Sequence, residues 1–483
     1  MNWRTISLFV GKALFVNALF MFLSVIVSIC YGFDNGFTPL LISAVVTFIV
    51  GFFPIMFVKQ SQSGSVREGF VIIALAWFLS FVFGMLPYVL YGGEFTVMNA
   101  WFESVSGYTT TGSTILTDIE SLPKSLLFWR SSTHYIGGLG VIIFLLLILP
   151  EGTNFKNRLS SIAVSSSTPD RYAVRRARTT HVMLVAYVAL TLAEFVALWI
   201  AGMTPFDAIN HSFSTIATGG FSTRNASIMF YDSVAIDVIL MVFMILSSIH
   251  LGVVFMIFAK RSIKPLLGDV TRYYLSVFLV VSVIVMLVLV AQGGYDSWGK
   301  AALDSSFQVS SFISTTGFGN ADNASWPVLA NLFLLFVAFH CGCSGSTTGG
   351  VKADRMLLAA KALKGEFHRR LSPSSVFHVK LDGLVVNPDV LAGVMQYIVI
   401  YLVILFISFC LVLASGVDVA EAFSGTMSSL GNVGPAMDSL GTMGNYASQP
   451  LLAKCVYTID MILGRLEIFP VFIVLSMIFS NKR

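Results

Sequence analysis

The sequence predicts an all-α polytopic membrane protein, in which two N-terminal transmembrane helices precede four helix–pore-loop–helix repeats in a pseudo-fourfold arrangement around one pore. Three observations predict this class. The 483 residues are 56% hydrophobic and only 11% charged, with a mean hydropathy of +0.83, far from the composition of soluble domains. Apolar stretches long enough to span a bilayer recur along the whole chain, and four Gly-containing segments repeat between them at intervals of roughly 100 residues.

Ten apolar stretches reach the roughly 20 residues that a helix needs to cross the hydrocarbon core of a bilayer. They lie near residues 6–31, 38–58, 69–91, 125–150, 179–201, 233–259, 273–292, 326–361, 390–415 and 447–480. The first stretch is followed by no small-residue cleavage site, so we expect a retained helix rather than a signal peptide. The five cysteines fit neither a disulfide framework nor a zinc site, and no organic cofactor is expected.

The distribution of basic residues predicts the orientation. If the N-terminus is cytoplasmic, 23 of the 29 Lys and Arg residues fall on the inner side, and the positive-inside rule then places both termini in the cytoplasm. The outer side is acidic, which would raise the local cation concentration, although exposed loops commonly carry carboxylates. The basic inner loops fit contact with anionic lipid or a regulatory protein, or serve as a topology signal alone.

Four outer connections share one pattern, a short amphipathic segment followed by a Gly/Thr/Ser-rich stretch. They cover residues 94–123, 204–232, 295–325 and 417–446 and align without gaps on Gly112, Gly219, Gly317 and Gly434. Each copy predicts a helix, a short pore helix, a loop and a second helix. The chain therefore divides into two accessory helices at 1–60 and repeats at 61–165, 166–265, 266–380 and 381–483.

Such loops suit the passage of cations. A dehydrated cation needs oxygens in place of its water, and backbone carbonyls can supply them where glycine leaves φ free. The short helices would also point their negative C-terminal ends at the path of the ion. One such loop alone would be an ordinary turn, whereas four copies in register favour a ring around a pore.

These segments, together with the stretch GCSGSTTGG at 342–350, resemble the potassium-translocating membrane subunits of the bacterial Trk/Ktr/HKT superfamily. The resemblance covers essentially the whole chain, and the two spans ahead of the repeats make the chain more similar to the Trk type than to the shorter Ktr type. It implies K⁺ uptake across the bacterial cytoplasmic membrane, with K⁺ as the bound and transported ion. It also implies a homodimer and a cytoplasmic TrkA-like nucleotide-binding regulatory subunit.

The resemblance further implies which residues form a selectivity filter. These are Thr110, Thr111, Gly112 and Ser113 in the first copy, Thr218, Gly219 and Gly220 in the second, Thr315, Thr316, Gly317 and Phe318 in the third, and Asn432, Val433 and Gly434 in the fourth. The carbonyls expected to hold K⁺ belong to Thr110, Thr111, Ala217, Thr218, Thr315, Thr316, Asn432 and Val433. The fourth copy departs from the Thr-Thr-Gly pattern of the first and third.

A second feature lies in the eighth and tenth stretches. Residues 341–350 contain four glycines, so we expect the helix to break there and line the pore, or to form a packing surface between helices. The tenth stretch contains Asp460, Arg465 and Glu467, and Arg465 can pair with either carboxylate. As the resemblance implies, Arg465 can instead form a gate below the filter together with Gly342, Gly345, Ser346, Thr347, Thr348, Gly349 and Gly350.

Other functions remain open. An H⁺- or Na⁺-coupled cation symporter, or a less selective monovalent-cation transporter, fits the same pattern. A transporter built on inverted repeats is disfavoured because the four copies share one orientation. An intramembrane enzyme is a remote alternative, since His134, His250 and His340 fall within spans but no catalytic motif accompanies them. Arg130 and His134, one turn apart, predict polar contacts between repeats.

Overall fold

The computed structural model describes residues 2–58, 66–148, 176–293, 295, 297–372 and 378–480, which are mostly helical. The predicted boundaries at 60/61 and 165/166 and the basic inner segment around Lys156 lie outside the described residues. The five cysteines are free. The predicted all-α fold is confirmed.

Two helices precede the repeats, α1 (Trp3–Cys30) and α2 (Phe37–Phe57). They pack closely because glycines leave room at the crossing. A Cβ atom on Gly11 would lie 2.6 Å from the carbonyl oxygen of Gly51. Exposed apolar side chains along both helices, such as Ile26 and Phe53, are typical of surfaces that face lipid tails.

Each of the four repeats contains a long helix, a short helix and a second long segment. The first repeat has α3 (Val66–Gly84), α4 (Leu86–Tyr91), α5 (Val97–Tyr108) and α6 (Lys124–Ile148), and the second has α7 (Arg176–Ile200), α8 (Pro205–Ile216), α9 (Val234–Ser248) and α10 (Leu251–Lys260). The third has α11 (Asp269–Ala291), α12 (Trp298–Ile313), α13 (Val328–His340) and α14 (Ala353–Leu371). The fourth has α15 (Pro388–Ala414), α16 (Val419–Gly431), α17 (Leu451–Arg465) and α18 (Ile468–Ser480).

Short elements complete the chain. A two-stranded antiparallel hairpin, β1 (Lys380–Leu381) and β2 (Leu384–Val385), lies between the third and fourth repeats. Turns of 3₁₀-helix occur at Ser227–Tyr231, Lys264–Leu267, Asn323–Ser325 and Asp438–Leu440.

Within the described residues all ten predicted apolar stretches are helical, but several are interrupted. Among the described residues, six helices are long and apolar enough to cross a membrane, and α9 with the first part of α10, bent by 113°, would be a seventh. The break between α13 and α14 is where the sequence predicts it. The last stretch, residues 447–480, forms two helices rather than one long span, because the chain leaves the helix at Leu466 and Glu467 between α17 and α18. The bend at Ile249 and His250 was likewise not predicted.

The four short helices are α5, α8, α12 and α16, and three of them begin at a residue whose side chain caps the helix. The side chains of Thr96, Thr204 and Asp418 accept hydrogen bonds from the backbone of the first turns of α5, α8 and α16. Such caps satisfy amide groups that the start of a helix leaves free. At 12 to 16 residues, these helices are too short to span the membrane.

Glycines in the long helices allow them to touch the ends of the short ones. A Cβ atom on Gly137 of α6 would lie 1.9 Å from the carbonyl oxygen of Tyr108, and one on Gly464 of α17 would lie 2.2 Å from that of Leu430. Real Cβ atoms cannot approach so closely. The last turns of α5 and α16 are therefore fixed by direct backbone contact with the long helices.

We expect Gly137→Ala to destabilise the protein by about 1–3 kcal/mol, the usual cost of overpacking a core, because the new methyl group meets backbone rather than a movable side chain. The measurement is thermal unfolding of the purified protein in detergent. Gly393→Ala in α15 is the matched control, since nothing lies within 4 Å of its Cβ position and alanine favours helix. Equal melting temperatures for Gly137→Ala and wild type would contradict this packing.

Candidate functional site

The four Gly-containing loops have the same backbone conformation. Each has a non-glycine residue with φ between 52° and 56°, followed two residues later by a glycine with φ between 82° and 101°. The non-glycine residues are Thr110, Thr218, Thr315 and Asn432, and we call the glycines the ring glycines: Gly112, Gly220, Gly317 and Gly434. Positive φ is costly for a β-branched residue, so the three threonines store backbone strain of the kind found at functional sites.

One hydrogen bond recurs in all four loops. The residue before each ring glycine donates its amide to the carbonyl of a serine five residues earlier. These pairs are Thr111 with Ser106, Gly219 with Ser214, Thr316 with Ser311, and Val433 with Ser428, at N···O distances of 2.7 to 2.9 Å. The bond holds the loop against the last turn of its short helix.

Both patterns correct the predicted alignment of the second repeat. Gly220, not Gly219, is equivalent to Gly112, and the carbonyls equivalent to those of Thr110 and Thr111 belong to Thr218 and Gly219 rather than to Ala217 and Thr218. The pair Gly219 and Gly220 left two registers open, and the backbone angles and the recurring hydrogen bond distinguish them. A signal was present in the sequence, because the residue six positions before each ring glycine is serine.

The four loops form a closed ring. A Cβ atom on Gly112 would lie 2.0 Å from the carbonyl oxygen of Gly219, and one on Gly220 would lie 2.0 Å from that of Thr316. The same relation continues from Gly317 to Val433 at 2.3 Å and from Gly434 back to Thr111 at 2.5 Å. Each ring glycine therefore faces a carbonyl of the next repeat, and the fourth repeat meets the first.

One cavity is lined by all four ring glycines. Its wall also contains Ser113, Tyr446 and two arginines, Arg130 and Arg224. The other lining residues come from the connections that the sequence places outside. The cavity is therefore a mouth that leads to the ring from the side of these connections.

The charge of Arg224 in this mouth is neutralised by partners. Its guanidinium lies 3.1 Å from Asp207 and 3.3 Å from Glu120. Burial by itself would raise the pKa of Asp207, but the hydrogen bond from Thr223 and the charges of His211 and Arg224 bring the pKa below its usual value. Asp207 therefore stays anionic at neutral pH and offsets a cation that would otherwise repel incoming cations.

On the other side of the ring lies the segment between α13 and α14, residues 341–352, which we call the crossing loop. The Thr347 hydroxyl donates to the carbonyl of Ile216 at 3.0 Å, and the amide of Gly349 donates to the Thr315 hydroxyl at 3.3 Å. A Cβ atom on Gly349 would lie 2.6 Å from the carbonyl oxygen of Gly431. The crossing loop therefore contacts the chain at the C-terminal ends of three short helices, α8, α12 and α16, just ahead of the ring.

Arg465 lies against the crossing loop. Its guanidinium donates to the carbonyl of Thr347 and, at 3.0 Å, to that of Gly137 in α6. In the described part of the chain Arg465 takes part in no ion pair, since Glu467 pairs with Lys352 and Arg355, and Asp460 accepts from Ser408. The expected position beside residues 341–350 is confirmed, and the alternative of an ion pair with Asp460 or Glu467 is wrong.

The three histidines within spans are packed against protein groups. His134 stacks on Phe221, His250 accepts from the amide of Gly252, and a nitrogen of His340 lies 3.1 Å from the carbonyl oxygen of Cys341. No cluster of three His, Cys, Asp or Glu side chains suited to a metal ion occurs among the described residues.

The fold and the ring define a class, polytopic membrane proteins in which four re-entrant loops of one chain surround a common axis. A family model described as TrkH, cation transport protein, matches residues 40–482. The chain belongs to this TrkH family of cation transport proteins.

Individual relatives agree with the family. The chain is 34% identical to the Trk system potassium uptake protein TrkH of Salmonella typhimurium over 100% of both chains. It is 34% identical to the Trk system potassium uptake protein TrkG of Escherichia coli, over 85% of this chain and 84% of that one. The crystal structure of the potassium transporter TrkH from Vibrio parahaemolyticus superposes with a TM-score of 0.88 at 32% identity, covering 98% of this chain and 99% of that chain. These names point to a transporter rather than an enzyme.

The register of the second repeat can be tested by a double-mutant cycle. The three atoms nearest to a Cβ on Gly219 all belong to the His134 ring, whereas a Cβ on Gly220 meets the backbone of Thr316. We expect each of Gly219→Ala and Gly220→Ala to cost about 1–3 kcal/mol. In a His134→Ala background the cost of Gly219→Ala should disappear and that of Gly220→Ala should remain, as measured by thermal unfolding in detergent. If the His134→Ala background removed the cost of Gly220→Ala instead, the register would be refuted.

Proposed function

We propose that the protein takes up K⁺ across the bacterial cytoplasmic membrane through the ring of four loops. The observation that carries this proposal is the closed ring, in which each ring glycine faces a carbonyl of the neighbouring repeat. Four segments with one backbone conformation can offer oxygens from all sides to a cation that has lost its water. The names of the relatives, potassium uptake proteins and a potassium transporter, support K⁺ as the ion.

The coordinating oxygens in this proposal are the carbonyls of the two residues before each ring glycine. They belong to Thr110, Thr111, Thr218, Gly219, Thr315, Thr316, Asn432 and Val433. The ends of α5, α8, α12 and α16 point toward the same region, where their dipoles favour a cation without a fixed carboxylate. Asn432 fits the pattern because asparagine adopts positive φ more readily than most residues. The ring can therefore keep its backbone geometry although the fourth copy differs in sequence.

Uptake is driven by the membrane potential, which is worth about 2.3 kcal/mol for one charge per 100 mV. With both termini in the cytoplasm, the acidic outer connections face the side from which K⁺ arrives. We propose that the protein works as a homodimer with a cytoplasmic nucleotide-binding subunit similar to TrkA. Its relatives are named as parts of a Trk system, which supports the involvement of further components.

The proposal is tested by growth of a bacterium that lacks its own K⁺ uptake systems on low-K⁺ medium, with Rb⁺ uptake measured with and without the cognate nucleotide-binding subunit. We expect wild type to restore growth and uptake. Gly220→Ser should abolish both, because serine cannot be accommodated at φ +83° with a carbonyl 2.0 Å from its Cβ. Gly393→Ser is the matched control. Wild-type protein that reaches the membrane but gives neither growth nor Rb⁺ uptake would disprove K⁺ uptake.

We also propose that the crossing loop and Arg465 form the gate. The loop lies directly below the ring and contacts three of its repeats, and the Arg465 guanidinium holds the loop through the carbonyl of Thr347 while it also contacts α6. A positive charge with no carboxylate partner among the described residues repels cations at this point. Opening then requires the loop to leave the axis and Arg465 to release it.

We expect Arg465→Ala, and deletion of residues 345–349, to raise cation flux, because each removes part of the obstruction while the ring is left in place. Flux is measured in liposomes at equal protein incorporation. Arg272→Ala is the control, since Arg272 is an exposed residue in the first turn of α11. Flux equal to wild type in both gate variants would eliminate the proposed gate but not the proposed path.

A further inference from the structure

The junction between the first and second repeats contains a buried arginine directly behind the ring. Arg130 of α6 is 1% exposed, and its Nε donates to the carboxylate of Glu103 in α5 at 2.8 Å. Its two other nitrogens donate to the Thr114 hydroxyl and to the carbonyl of Ser222, both at 3.3 Å. Glu103 and Thr114 belong to the first repeat and Ser222 to the second. One guanidinium therefore connects the two repeats.

A second contact reaches the ring itself. Phe221 directly follows the ring glycine Gly220, and its ring centroid lies 4.1 Å from Cζ of Arg130 and 4.0 Å from the centroid of the stacked His134 ring. Arg130 and His134 are one turn apart on α6. The two groups cannot share one face of the phenyl ring at these distances, so α6 of the first repeat holds Phe221 of the second between them.

Glu103 completes the connection on the side of the first repeat. Besides Arg130, it accepts hydrogen bonds from the Thr114 hydroxyl and from the amide of Ile115, each at 3.1 Å. The chain just after Gly112 is thereby fixed to α5. The segments that follow Gly112 and Gly220 are thus both held by Arg130, directly or through Glu103.

The other repeats fill the position of Glu103 with different residues. Nine positions before each ring glycine stand Glu103, His211, Gln308 and Gly425. A ring nitrogen of His211 lies 2.9 Å from the Ser222 hydroxyl, and the Gln308 amide donates to the carbonyl of Ala321 at 2.8 Å. Among these four positions, only Glu103 takes part in an ion pair within the described residues. Of the four equivalent positions, Glu103 therefore makes the strongest contact, since charge-assisted hydrogen bonds exceed neutral ones.

We propose that Arg130 is a positioning residue that sets the spacing of the ring between the first two repeats and thereby the preference for K⁺ over Na⁺. The inference rests on the proposed K⁺ uptake. Discrimination between these ions depends on how many carbonyl oxygens surround the ion and how far they can move toward it. A filter segment released on one side can close around the smaller Na⁺. Arg130 prevents this by fixing both neighbouring segments to α6.

Phe221→Leu tests the inference without leaving a buried charge unpaired, which would itself be strongly destabilising. Leucine keeps an apolar side chain but loses the stacking on Arg130 and His134. We expect the ratio of K⁺ to Na⁺ flux in liposomes to fall about fivefold, which corresponds to only part of the free energy of a buried cation–π contact. Arg130→Lys keeps the positive charge but loses the planar guanidinium and its several N–H donors. This variant should lower the ratio as well.

Phe230→Leu is the matched control. The guanidinium of Arg224 lies over the Phe230 ring at the same distance, 4.1 Å from Cζ to the ring centroid. Phe230, however, lies ten residues beyond Gly220. We expect this variant to keep the wild-type ratio. A merely structural role of Phe221 would lower the amount of folded protein and leave the ion ratio of the remaining protein unchanged.

The outcomes separate the inference from the function on which it rests. Wild type without K⁺ flux, or without preference for K⁺, would refute the proposed function. A selective wild type with an unchanged ratio in both Phe221→Leu and Arg130→Lys would overturn the inference alone. An equal fall in Phe230→Leu would overturn it too, because the effect would then not belong to the junction behind the ring.

Discussion

The close approach of four backbone segments around one axis is the constraint on which the rest of this structure depends. Each ring glycine faces a carbonyl of the next repeat at a distance that leaves no room for a Cβ atom. The residue two positions earlier must adopt positive φ in every loop, including three threonines for which this is costly. Such a conformation persists only where its surroundings fix it. The serine carbonyls of the short helices and the glycine contacts of α6 and α17 with the ends of α5 and α16 provide that support.

Breaks in the long helices also follow from placing non-helical backbone at membrane depth. Polar backbone groups in this region need hydrogen-bond partners, and the backbone groups of two breaks bond to each other. The amide of Cys343 donates to the carbonyl of Ser248 at the bend between α9 and α10, and the amide of Leu251 donates to the carbonyl of Gly345. Gly345 also lies against the His250 ring. The bend in the second repeat and the crossing loop of the third therefore satisfy each other's backbone.

Carrying four repeats on one chain allows them to diverge. A symmetric tetramer would need the same residue behind all four ring positions, whereas here a carboxylate, an imidazole, an amide and a glycine stand there. Asn432 replaces threonine because the position requires positive φ rather than a particular side chain. The backbone of the ring is thus constant while the contacts behind it differ, and the junction of the first two repeats holds the buried ion pair of Glu103 and Arg130.

The sequence by itself determined the class of protein, the ten apolar stretches, the four loops and the break at residues 341–350, because composition, period and glycine content act locally. That Arg465 lies near that break was implied by the resemblance to a known family rather than by the residues themselves. Although a serine stands six positions before each ring glycine, it was the tertiary structure that decided that Gly220 rather than Gly219 belongs to the ring, because the backbone angle and the carbonyl of Thr316 in another repeat fix the choice. The same holds for the breaks at Ile249 and at Leu466, because the apolar stretches continue through both positions in the sequence. It also holds for the junction formed by Arg130, since contacts between repeats arise from the packing of segments about 100 residues apart.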